Sequence, residues 1–125
     1  MDLLDFRSYC LSLPEAEEAM PFDERILVFK IGGKIFAACD ILHFVEFAVK
    51  CDPDRALELR EQYPEITPAH HFNNRHWNGI RVDGDLAAEV ICREILHSYR
   101  QVLYGSVTPK AERLRLIAIY ENSML

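Results

Sequence analysis

Two consecutive glycines, Gly32-Gly33, lie between two apolar runs, and this pair constrains the fold of the 125-residue chain more than any other feature. A two-residue loop between antiparallel strands needs positive φ at its centre, which glycine adopts without a Cβ penalty. The spacing therefore predicts a tight hairpin with strands over roughly 25–31 and 34–39. A third strand is expected over 44–51, where Val45, Phe47, Val49 and Cys51 alternate with Glu46, Ala48 and Lys50. On this reading Val45, Phe47 and Val49 turn towards the core, as do Leu27, Phe29 and Ile31. Lys34 shares a face with Phe36.

Helical periodicity accounts for most of the remainder. Residues 2–13 begin with a capping Asp2 and place Leu3, Phe6, Cys10 and Leu13 on one stripe. Pro14 ends that helix, and an acidic loop runs to Asp23. Asp52-Pro53 reads as N-cap and first turn of a helix over 53–62. Pro64 and Pro68 bracket an extended piece. A further strand is expected over 77–82, closed by Asp83-Gly84. A long helix follows over 86–104, with Ala87, Val90, Ile91, Ile95, Tyr99 and Val102 on its buried stripe. Gly105 stops it, and a short basic amphipathic tail, read as a short helix, occupies the rest of 105–125. The order is α-βββ-α-β(β)-α. It implies a single α+β domain over 1–125, with an antiparallel sheet of four to six strands and helices packed on one face.

Charge narrows the function. The net charge is −6, and it all comes from residues 1–24, which hold seven acids and one base. Overall acidity argues against a non-specific nucleic-acid binder, whose affinity comes from neutralising phosphates. No apolar run approaches the ~20 residues of a membrane span, and no secretion signal is visible. A cytoplasmic protein is expected, with Cys10, Cys39, Cys51 and Cys92 as unpaired, mostly buried thiols.

Residues 70–82 are compositionally unusual. They hold three of the five histidines, the only tryptophan, three asparagines and two arginines, with no acid. His71, Asn73, His76 and Trp77 form a candidate ligand corner, set against a polar turn that merely anchors the last strand. The spacing of His70, His71 and His76, even with His43, does not make a metal shell, and no metal or cofactor is expected. No nucleophile–base–orienter set is visible, since Ser98 and Tyr99 read as packing residues on a helix; an enzyme is not expected. The acids at Glu15, Glu17, Glu18, Asp23 and Glu24 read as a solvated run. Strand alternation brings Lys30, Lys34, Lys50 and Arg81 towards one exposed face, with Arg75 at its rim. This is a candidate nucleic-acid surface, set against the ordinary charged face of a one-sided sheet.

Several segments together resemble the MmcQ/YjbR family of small bacterial proteins. They are Leu13-Pro14-Glu15, Pro21-Phe22, VFKIGGKIFA (28–37), KCDPDRALELREQYP (50–64), ITPAHHFNNRHWNGI (66–80) and SYRQVL (98–103). The resemblance implies a CyaY-like α+β fold and a DNA-binding label that rests on a "double-wing" pair of hairpins. This chain has Asn74 where the family usually has Lys, and His70-His71 where it usually has Tyr-His. Two readings follow. One is weak, salt-sensitive DNA binding through Lys30, Lys34, Lys50, Arg75 and Arg81. The other is a protein- or small-ligand-binding module centred on the 70–77 corner.

Overall fold

Ten elements follow one another in the computed structural model, which describes residues 1–125. They are α1 (Leu3–Ser12), β1 (Glu17–Ala19), β2 (Ile26–Ile31), β3 (Lys34–Asp40), β4 (Glu46–Lys50), α2 (Pro53–Gln62), β5 (Ile66–Pro68), β6 (Trp77–Arg81), α3 (Ala88–Gly105) and α4 (Lys110–Ser123). All strand pairs are antiparallel, in one six-stranded open sheet of order β1-β2-β3-β4-β6-β5. The fold is α+β, and the helices lie on one face.

Local chemistry explains the element ends. Asp2 and Asp5 form a reciprocal capping box at α1, and the Asp52 carboxylate accepts from Arg55 N–H at α2, with Pro53 in the first turn. Gly32 and Gly33 have φ of 57° and 78°, the positive values that the hairpin demands. Both edges are short: β1 presents Glu17 and Glu18, and β5 ends in Pro68, features that discourage pairing with another sheet.

The helix-side core is aromatic at its centre. Phe6 of α1 packs on Phe29, Phe44 and Phe47, while Phe36 meets Tyr99 edge-on. The Tyr99 hydroxyl donates to the Pro14 carbonyl at 2.6 Å, which ties α3 to the end of α1. Ser98, fully buried, bridges two strands. Its Oγ accepts from Lys50 N–H at 2.8 Å and donates to the Phe36 carbonyl at 2.5 Å. The direct β3–β4 register runs only from Ala37↔Val49 to Cys39↔Phe47, so the serine fills the ladder where the strands part.

Five expectations need correction. The acidic loop contains a strand, β1, whose Glu18 makes a two-pronged ion pair with Arg7. Val45 does not face the core: it precedes β4, and Phe44 takes the core position beside Phe6. A β-bulge shifts the β2–β3 register between Phe29 and Lys30, so Phe36 and Ala37 both enter the core. The tail is not short. Helix α4 has 14 residues and docks on α3 through Tyr120, which receives a hydrogen bond from Arg100 and lies beside Tyr99 and Tyr104. Helix α3 itself begins at Ala88, leaving Ala87 exposed as its N-cap.

Candidate functional site

The face of the sheet without helices follows from the register. One cross-strand row contains Val28, Ala38, Ala48 and Gly79, each opposite the next. Three of these four side chains are methyl or hydrogen, so the row forms a shallow floor. The β5–β6 loop folds back over it, held by Ala69 N–H donating to the Trp77 carbonyl at 3.1 Å. A cavity of about 500 Å³ results, lined by Phe22, Pro68, Phe72, His43, His70 and His71 around the Ala38–Ala48–Gly79 floor. The Glu46 carboxylate hangs over Gly79, 3.7 Å from where a Cβ would stand. Asp40, at the same end, is paired with Arg25 at 2.6 Å. His71 holds a φ of 66°, a left-handed conformation uncommon outside glycine.

Lys50 and Trp77 are opposed one step along the strands, and there a second cavity of about 360 Å³ opens. Its walls are Lys30, Lys34, Lys50, Ile35, Phe72, Trp77, Val102 of α3's last turn and Ser106, which caps that helix. The α3 residues appear because β3 and β4 have already parted at Ser98. Phe72 lines both cavities and stacks on Trp77, with ring centroids 4.5 Å apart and planes 28° from parallel. Lys50 Nζ donates to Ser106 Oγ at 3.0 Å, a good place for a cation beside a helix C-terminus.

The residues singled out from the sequence therefore separate. Lys30, Lys34 and Lys50 come together. Arg81 lies at the other end of β6 and pairs with Asp83 at 2.6 Å, opposite Glu46. Arg75 sits exposed in the β5–β6 loop, its N–H donating to Asn73 Oδ1. Of the ligand corner, His71 lines the larger cavity and half-buried Trp77 the smaller. Asn73 and His76 line neither: the Asn73 carbonyl accepts from His76 N–H, closing the turn between them.

The sequence reading missed Arg60 of α2, which grips this corner. It donates to Asn78 Oδ1 at 2.7 Å, to the Trp77 carbonyl at 3.2 Å and to the Asn74 carbonyl. His70 and Phe72 lay within the expected 70–77 corner without being singled out as walls; the reading also missed Phe22 as a cavity wall, Glu46 as its free acid, and the small floor residues. Their signal was the run of small outward residues at Ala38, Ala48 and Gly79, legible only once the strands are in register. No three His, Cys, Asp or Glu side chains converge as a metal shell. Burial pushes the Cys39 and Cys51 thiols up to about 12, and Cys10 also well upward, so these three are poor nucleophiles at neutral pH. Ser98 Oγ is occupied on both sides by backbone.

A family model described as YjbR matches residues 11–101. The chain belongs to the YjbR family. It is 36% identical over 107 residues to the Escherichia coli O157:H7 protein YbdF, covering 84% of this chain and 87% of that protein. It is 26% identical over 120 residues to YjbR of Escherichia coli strain K12, covering 95% and 100%. Both relatives are described as uncharacterized, so they supply a family without an activity. Among solved structures, the Deinococcus radiodurans protein DR2400, a DUF419 domain, superposes with a TM-score of 0.83 at 37% identity, covering 91% of this chain and 86% of that one. A Pseudomonas syringae protein shares the fold, with a TM-score of 0.69 at 23% identity over 80% of this chain and 97% of that one. No helix of the YjbR-family chain is long and apolar enough to cross a membrane.

Proposed function

We propose that this YjbR-family protein is a non-enzymatic binding module whose ligand is a small molecule with a planar, largely apolar body. One observation carries the reading: the roughly 500 Å³ cavity on the open face, with a flat floor of Ala38, Ala48 and Gly79 and aromatic walls at Phe22 and Phe72. Its size and its mixture of apolar lining with a few polar groups match small-ligand sites in general. Ser98, the hydroxyl weighed as a nucleophile from the sequence, is committed to the sheet, which supports binding over catalysis.

The test is an NMR titration of labelled protein with 2-naphthol as a neutral planar probe. Saturable shifts are expected at residues 69–72, Ala48 and Gly79. Ala48→Leu projects a larger side chain into the cavity and should abolish them while leaving the spectrum folded. Shifts confined to other surfaces, or no saturable binding by any planar aromatic probe, would refute the reading.

DNA binding stays as a second reading because Lys30, Lys34 and Lys50 gather at one cavity. Three phosphate contacts give a log–log salt slope of about −3 at most. Arg81 is already paired, and the hairpin turn lies with Gly32 against Val107 and Leu116, only Gly33 facing open space. These features favour the small ligand. A salt-dependent titration against duplex and single-stranded DNA decides: tight binding at physiological salt that is lost in Lys30→Glu with Lys34→Glu would restore the DNA reading.

A further inference from the structure

We infer that the lysine cavity receives the oxyanion head, a phosphate monoester or a carboxylate, of the ligand whose planar body fills the neighbouring cavity. This rests on the reading of the larger cavity as a ligand site. Three of the chain's four lysines line the smaller cavity, and no carboxylate lines it. All six ion pairs in the molecule are made by arginine, so none of these three ammonium groups is in an ion pair; Glu17 of β1 stands opposite Lys30 in the ladder without pairing with it, and no acid stands opposite Lys34 or Lys50. Like charges brought together without a counter-ion repel, and an anion placed among them removes that cost.

Lys50 has a structural reason to be there, at the C-terminal end of α3 on Ser106. Lys30 has only the cross-strand Glu17 and Lys34 has no acid opposite it; neither Nζ makes an ion pair, and both flank the hairpin turn. They supply the charge available to a ligand. The floor of the large cavity and the base of the small one are adjacent rows of the same face, Ala48–Gly79 and Lys50–Trp77. Two residues along a strand span roughly 7 Å, so an aromatic body on the first row can carry its head group to the second. Phe72 borders both cavities and rests on Trp77, which places the join between body and head at this aromatic pair. A phosphate monoester and a carboxylate both match, because lysine acts on either as a point charge with rotatable donors.

The indole N–H of Trp77, the only tryptophan, gives a single NMR signal at this cavity. Labelled protein is titrated with 2-naphthyl phosphate, 2-naphthoate, 2-naphthol and inorganic phosphate. At least one naphthyl anion should bind about tenfold or more tighter than 2-naphthol, as expected for charge-assisted hydrogen bonds, and should shift the indole signal. The stronger anion identifies the head group. In Lys30→Gln with Lys34→Gln the advantage should collapse while 2-naphthol binding is unchanged, and in Lys30→Arg with Lys34→Arg it should persist. Equal binding of anions and 2-naphthol by the native protein overturns this inference and leaves the cavity reading intact. An advantage that survives the glutamine substitutions overturns it too, as does inorganic phosphate binding as tightly as the naphthyl ester. Failure of every naphthyl probe, 2-naphthol included, overturns both.

Discussion

Gly32 and Gly33 share one turn and both have positive φ, yet substitution should affect them differently. A Cβ on Gly33 would meet nothing within 4 Å, whereas one on Gly32 would lie 2.6 and 2.8 Å from the two methyls of Val107. Gly33→Ala should cost only the left-handed backbone penalty, about 1–2 kcal/mol. Gly32→Ala should cost distinctly more, because Val107 is fully buried and has little room to yield. Val107→Ala removes both clashing methyls, so the double variant should be more stable than the sum of the two single losses implies. Urea denaturation of the four proteins measures this, and strict additivity would contradict the packing described. His71 shows the converse. It holds a left-handed φ without being glycine, at the wall of the candidate cavity, where such conformations tend to serve a site.

At the scale of elements, the hairpin was legible because a glycine pair has one geometric meaning, and α1, α2 and α3 because stripe and cap agreed. Strand β1 was not legible: Glu17-Glu18-Ala19 carries no apolar alternation and becomes a strand only by pairing with Val28–Lys30. The phase slip at Phe44-Val45 and the bulge at Phe36 were hidden for the same reason, since both depend on partner strands. The candidate site was half legible. Composition marked the 70–77 segment, but which of its side chains meet the cavities depends on how the loop folds onto β4 and β6. Helix α3 also carries a charge that a hydrophobic stripe conceals. Glu94 is 2% exposed and is held by Arg55 at 2.6 Å and Arg93 at 3.1 Å. Burial pulls its carboxyl upward, but the hydrogen bonds from Arg55 and Arg93 win and hold it below the ordinary value of 4.5. Glu94→Gln should cost about 2 kcal/mol, below the ~3–5 kcal/mol of a fully buried broken pair, because both arginines can turn to water. A change below about 0.5 kcal/mol in urea midpoint analysis would show the pair to be idle.

For the whole molecule these groups predict a direction of pH dependence. His97 lies below its ordinary 6.5 because burial, and then the nearby Arg55, disfavour its cation; its neutral Nε2 accepts from Asp52 N–H at 3.2 Å. The unfolded chain protonates this ring near 6.5 while the folded one resists, so stability should begin to fall as pH drops below about 6.5. The Glu94 contribution is complete above about 4.5 and is lost as pH falls further, through its depressed folded value. Denaturation midpoints should therefore decline in two stages on acidification, and His97→Gln, which keeps an acceptor for Asp52, should flatten the upper one. A native profile level from pH 7 to 5 would contradict it. The contact of the hairpin turn with Val107 and Leu116 has a different kind of consequence. Both residues lie beyond 101, where the family match ends, yet they clamp the loop whose flanks carry Lys30 and Lys34. If the proposed ligand binds there, the C-terminal segment should influence how much freedom those two side chains lose on binding. Relatives with the same cavity residues and different C-terminal sequences should choose similar molecules but hold them with different entropy, and amide hydrogen exchange across 30–34 should rank them.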